Sequence, residues 1–244
     1  MPTFKLTLEY EGTKYAGWQR QANAPTIQAT LEAALRQIAQ TDIAAIGAGR
    51  TDAGVHALGQ VVSFRADTSL TAEDWKRALN GVLPPEISVR AAETVADGFH
   101  ARYAARDKLY EYRILNRRER SALVRERAWH LRKPLDLEAM REAGRCLLGR
   151  HDFSSFQGSD SDTKTALCDL RALSVTPAGD LIRIEIRADR FLRQMVRVIV
   201  GTLVEVGIGK RSAGEIKTIL EAKDRKMAGK TAPPHGLYLV RVDY

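Results

Sequence analysis

Cysteine is nearly absent from this 244-residue chain: only Cys146 and Cys168 occur. Two isolated thiols form no disulfide framework and no metal-ligand cluster. They fit half-buried side chains in a reducing cytoplasm, the location expected for the protein. Long apolar runs are missing as well. The longest candidate, residues 191–208, is broken by Arg193, Arg197 and Glu205, which argues against a membrane span. The opening MPTFKLTLEY alternates apolar and polar residues and has no signal-peptide apolar core. The five histidines are scattered without metal-ligand spacing, and no Ser-His-Asp or Cys-His arrangement can be read from spacing. No metal and no organic cofactor is expected.

What the chain does have is arginine. It outnumbers lysine 27 to 11, and the formal net charge is +8. That charge is uneven. Residues 1–105 hold 10 basic against 11 acidic side chains, and residues 106–244 hold 28 against 19. Guanidinium binds phosphate bidentately and stacks on bases, so an arginine-rich basic half points to a polyanion such as nucleic acid. A solvated basic surface is the plainer alternative.

Hydrophobic periodicity outlines two mixed units with a boundary near residue 105. Phe4, Leu6, Leu8 and Tyr10 alternate as a strand. A helix follows Pro25-Thr26, with Ile27, Leu31, Leu35 and Ile38 on one face. The glycine-rich loop GAGRTDAG (47–54) leads into a strand at 60–64. Thr71 and Asp74 form a capping box, and 87–95 is another strand. In the second half, 108–115 reads as a strand with Tyr110 and Tyr112 on one face, and Asp136 caps a helix. Residues 170–175 and 181–186 flank the turn PAGD, a hairpin signal. A long helix is expected over about 189–206, a capped one from Ser212-x-x-Glu215, and a closing strand at 237–242. Two such α+β units could share one sheet.

Asp52 is the first candidate for chemistry. Gly47, Gly49 and Gly54 around it permit unusual backbone angles and close ligand approach. The loop is neither a P-loop nor a clean dinucleotide fingerprint, and a carboxylate would repel phosphate. The plainer reading is a tight turn with Asp52 capping backbone N–H groups. His56, nearby, is conceivable as a general base but more simply a structural imidazole. On the expected long helix, Arg190, Arg193 and Arg197 fall at i, i+3 and i+7, opposite the apolar face, with Gly201 leaving room beside them. An arginine reaching a carboxylate would keep it ionised; a solvent-exposed stripe is the alternative. Tyr110 and Tyr112 could stack on an unstacked base or simply fill the core. Arg117 and Arg118 belong to the densest basic segment, 113–132, which could be an RNA landing strip or a solvated loop.

Ordered motifs then add a resemblance. The segments YEGTKYAGWQRQ (10–21), GRTDAGVHALGQVVSF (49–64), LPPEISV (83–89), DGFHARYAA (97–105), KLYEYRILN (108–116), GRHDFSSF (149–156), FLRQMVRVIVGTLVEVG (191–207) and HGLYLVRVDY (235–244) resemble the tRNA pseudouridine synthase A family, in order, over nearly the whole chain. The resemblance implies an isomerase acting on uridines 38, 39 and 40 of the tRNA anticodon stem-loop. It implies an α+β fold of two related halves, 1–105 and 106–244, sharing a central, mostly antiparallel sheet. Helices would pack on one side, with the active-site cleft between the halves. It implies Asp52 as the catalytic carboxylate, Arg197 as its partner and Arg50 as the residue that helps the target base leave the stack. Tyr110 would pack against that base and Leu237 would line the uracil pocket. A homodimer without metal or cofactor is also implied. Segments 117–133 and 157–166 depart from any familiar pattern.

The implied reaction breaks C1′–N1 and joins C1′ to C5, an isomerisation that needs no energy source or redox partner. One ionised carboxylate can attack C1′ or C6, or take a proton from C2′. A noncatalytic RNA-binding module would explain the charge but not an aspartate in a glycine-rich loop. A glycosidase-like hydrolase would want a second carboxylate near Asp52.

Overall fold

The computed structural model describes residues 1–158 and 165–244. Segment 157–166 therefore falls largely outside the described residues. In chain order the elements are β1 (Thr3–Tyr10), α1 (Ile27–Ala39), β2 (Ile46–Gly47), β3 (His56–Arg65), α2 (Ala72–Val82), β4 (Ile87–Val95), β5 (Asp107–Asn116), β6 (Trp129–Leu131), α3 (Leu137–Arg145), β7 (Gly149–Asp152), β8 (Leu167–Ala178), β9 (Leu181–Ala188), α4 (Met195–Gly207), α5 (Glu215–Ala222) and β10 (Leu237–Asp243). They form two compact units: Met1–Arg106 with Tyr238–Tyr244, and Asp107–Leu237. The protein is α+β, and the strand pairs described within its two units are antiparallel except β3–β10 and β5–β6.

In the first unit β1 lies between β3 and β4, with Leu6 opposite Val62 on one side and Ala92 on the other. The alternation seen in the sequence is the pleat. Phe4, Leu6, Leu8 and Tyr10 are all buried, while Lys5 and Glu9 point the other way and pair with Glu93 and Arg90. Phe4 stacks on Phe64, and the buried Trp75 of α2 meets Phe64 edge-on at 5.2 Å. Helix α1 starts where Thr26 accepts a hydrogen bond from the Ala29 N–H, and it buries Ile27, Leu31 and Leu35. Helix α2 opens with the capping box Thr71–Asp74. The closing strand β10 pairs in parallel with β3, Tyr238 opposite His56.

In the second unit β5 pairs with β9, β9 with β8, and β8 with β7. Tyr112 stands opposite Ile184 and Ile114 opposite Ile182 on one buried face. The PAGD hairpin forms, with Gly179 at φ +63°. Helix α4 differs from its expected span. It begins at Met195, because Gln194 adopts a left-handed backbone (φ 59°, ψ 3°). Every α4 residue except Arg197 is buried, the pattern of a helix enclosed by its own protein. Helix α5 also differs: Gly214 precedes it without a side-chain cap, and Ser212 contributes only its carbonyl to the Glu215 N–H.

Candidate active site

The Asp52 loop is held from beneath by the segment that follows β1. The Trp18 N–H donates to the Thr51 carbonyl at 3.0 Å, and the Gly54 N–H to the Tyr15 carbonyl at 3.3 Å. Gly12 and Gly17 permit this contact. A Cβ at Gly12 would sit 2.0 Å from the Val55 oxygen, and one at Gly17 would sit 2.6 Å from the Thr51 oxygen. Within the loop, the Val55 N–H closes a turn on the Asp52 carbonyl, with Gly54 at φ +77°.

Side chains complete the clamp. The Tyr10 hydroxyl and Thr51 Oγ1 lie 2.8 Å apart, both groups buried. Gln60 Nε2 donates to the Gly49 carbonyl at 2.8 Å. Burial raises the Tyr10 pKa to about 12, against smaller opposing hydrogen bonds from Thr51 and Gln60. His56 is buried, stacks on Tyr238 at 4.8 Å and accepts the Gly12 N–H on Nδ1. Its imidazole braces the loop. Asp52 itself is half-buried and Arg50 exposed.

A second group of predicted residues gathers in the other unit. Tyr110 and Tyr112 are both buried on β5; Tyr110 meets Phe191 edge-on at 4.9 Å. Tyr112 donates its hydroxyl to the Pro233 carbonyl at 2.7 Å. Its burial pushes the phenol pKa far above the usual value, and the nearby Arg197 charge opposes this. Arg197 donates Nε to the Ala232 carbonyl at 2.8 Å, and the Ala232 N–H returns a bond to the Arg197 carbonyl at 3.0 Å. Leu237 is buried at the start of β10, its N–H bonded to the Pro234 carbonyl. His235, two residues before it, has its pKa lowered by burial.

The structure redistributes the expected arginine stripe. Arg190 and Arg193 precede α4 rather than riding on it. Residues 189–194 are fixed instead by the Asp189 carboxylate accepting the Asp169 N–H, and by the Arg193 carbonyl accepting the Gly158 N–H. Only Arg197 is on the helix. Arg117 is committed to Asp180 at 2.8 Å and to the Glu119 carbonyl, while Arg118 is exposed. Cys168 is buried, which raises its thiol pKa to about 11 and makes it a poor nucleophile. No group of three metal-ligating side chains occurs among the described residues, and no helix there is long and apolar enough to cross a membrane.

Comparison with known proteins decides the class. A family model described as tRNA pseudouridine synthase matches residues 7–104 and 143–244. The chain belongs to this family. A tRNA pseudouridine synthase A from Myxococcus xanthus is 48% identical over all of this chain and 92% of its own length. One from Thermoanaerobacter sp. (strain X514) is 46% identical over the full length of both, and one from Pectobacterium atrosepticum is 45% identical over 98% of this chain and 84% of its own. Enzymes of the tRNA pseudouridine synthase family isomerise uridine to pseudouridine. Residues 105–142, which the family model skips, include Tyr110 and the basic segment 117–133.

Several residues of this family member escaped sequence reasoning as site candidates. Tyr10 and Thr51 are 41 positions apart, and only the alternation of β1 hinted that Tyr10 was buried.

Proposed function

We propose that this tRNA pseudouridine synthase acts on uridines 38, 39 and 40 of the anticodon stem-loop, with Asp52 as the catalytic carboxylate. The observation that carries this reading is the built pedestal under Asp52. Two glycine close approaches, a buried Tyr10–Thr51 pair and a bracing imidazole hold one loop that carries a half-buried carboxylate. A loop made only to turn the chain has no use for such support, whereas a reacting group gains from being preorganised.

In this reading the target uridine leaves its stack at a cost of a few kcal/mol. Arg50, exposed beside Asp52, props the vacated space. Tyr110 and Leu237 supply the aromatic and apolar surfaces for the uracil, and Arg197 supports the charge of the carboxylate. The glycosidic bond from C1′ to N1 breaks, the freed uracil turns, and C1′ bonds to C5. The proton displaced from C5 leaves to solvent, and N1 gains one, so atoms and charge balance. Arg118, Arg190 and Arg193 are the phosphate contacts assigned here. Arg117 joins them only if it gives up its pairing with Asp180. The enzyme works as a cytoplasmic homodimer without metal or cofactor.

The test is to map pseudouridine in unmodified tRNA after incubation with the purified enzyme. The reading predicts modification confined to positions 38–40. Modification elsewhere, or none, contradicts it.

A further inference from the structure

In the second unit, hydrogen bonds join α4 to the segment 228–233 along its length. Four α4 residues follow one another along it. Arg197 exchanges two hydrogen bonds with Ala232. Gly201 admits the backbone of Lys230, whose oxygen would lie 1.7 Å from an added Cβ. The Thr202 hydroxyl accepts the Gly229 N–H at 2.9 Å and donates to the Val198 carbonyl at 2.8 Å. Glu205 accepts the Lys230 N–H at 3.4 Å. The spacing 197, 201, 202, 205 is one helix stripe. This stripe reads main chain, not side chains, so it fixes where a strand of backbone lies.

The same segment is also gripped by Arg225, whose charge lies near that of Glu205. Its guanidinium donates from Nη1 to the carbonyls of Ala228 and Gly229 at 3.5 and 3.0 Å, and from Nη2 to Thr231 Oγ1 at 2.9 Å. Arg225 sits on a single 3-10 turn capped by the Asp224 carboxylate. Glu205 in turn is buried and holds Lys210 and Arg211 at 3.3 and 2.6 Å. None of these groups is among the site candidates. Yet the segment they clamp runs directly on through Pro233, bonded to Tyr112, to Leu237.

We infer that Arg225, with Thr202 and Glu205, forms a backbone clamp that positions Arg197 and Leu237 for the reaction. These are positioning residues: they act through the segment 228–237 rather than on the uridine. The inference rests on the roles proposed above for Arg197 and Leu237. Guanidinium is suited to the task because its rigid planar fork holds donors on separate nitrogens toward two carbonyls and a hydroxyl, whereas the three donors of an ammonium share one rotating nitrogen.

The experiment compares wild type with Arg225→Met, Arg225→Lys, Thr202→Val and Leu237→Ala. It measures kcat and KM on unmodified tRNA, tRNA affinity, melting temperature, and hydrogen exchange of peptides spanning 228–237. The clamp predicts faster exchange in that segment for Arg225→Met and Thr202→Val. It also predicts a kcat lowered at least tenfold per folded molecule, with KM and tRNA affinity within about twofold. Arg225→Lys keeps the charge but not the fork, so it should remain impaired; recovery to wild-type kcat would assign Arg225 to phosphate binding and overturn the inference. Unchanged exchange, unchanged kcat, or an activity loss that only tracks lost folded protein would also overturn it. Leu237→Ala separates the two readings. If it keeps wild-type kcat, the role given to Leu237 fails. The clamp then stands or falls on the Arg225 and Thr202 variants acting through Arg197.

Discussion

Tyr10 separates the architecture of the Asp52 loop from its chemistry. Its hydroxyl touches Thr51, the residue before Asp52, so Tyr10→Phe keeps the carboxylate but loosens what it stands on. The expected cost is about 1–2 kcal/mol of stability, because the buried Thr51 hydroxyl loses its partner. The kcat should fall severalfold while tRNA affinity holds; equal kcat would show the pedestal is dispensable. The same residue sets an alkaline limit. Unfolded Tyr10 loses its proton near pH 10, whereas the folded pKa is about 12. The folded state therefore binds more protons across pH 10–12, and stability falls as pH rises through that window. Denaturant melts of wild type and Tyr10→Phe should diverge below pH 10 and converge above it. At this scale Asp52 was visible in the sequence as a carboxylate among glycines. Its partner Tyr10 was not, because local spacing carries no information about a contact 41 residues away.

Among the elements, α4 shows both the reach and the limit of periodicity. The apolar face and the room beside Gly201 were legible, since both follow from a 3.6-residue repeat. The helix start was not. Counting i, i+3, i+7 from Arg190 passes through Gln194, whose left-handed backbone ends any regular helix there. Nothing in the sequence of a glutamine announces that; tertiary hydrogen bonds at Asp189 and Arg193 impose it. Two glycine substitutions probe helix packing directly. Gly201→Ala would drive a methyl into the Lys230 carbonyl, a backbone atom that cannot swing aside. It should cost about 1–3 kcal/mol, or about 2–4 °C of melting temperature per kcal/mol. Gly81, in α2, has nothing within 4 Å of an added Cβ. Gly81→Ala should instead stabilise by about 0.5–1 kcal/mol through helix propensity. Thermal melts of the pair check both signs.

For the molecule as a whole, charge is the property that the sequence displayed most openly. The basic excess lies beyond residue 105, and exposed side chains such as Arg118 and Arg193 belong to it. Binding of tRNA should therefore weaken steeply with salt. Arg118→Gln should flatten the log–log slope by about 0.7–0.9 if that residue meets one phosphate. An unchanged slope would remove Arg118 from the interface. The α+β class and most strands were also legible, because alternation and turn residues are local signals. The short strands β6 and β7 were not, since three or four residues are too few to show a period.

The role proposed for Asp52 is tested most directly by tritium release from uracil C5. Transfer RNA carrying tritium at C5 of its uridines is incubated with wild type and with Asp52→Asn, and tRNA binding is measured in parallel. The account predicts that wild type releases the label to water as pseudouridine forms, while Asp52→Asn binds tRNA with similar affinity and releases none. Label release by a purified Asp52→Asn variant at a rate near wild type would contradict it.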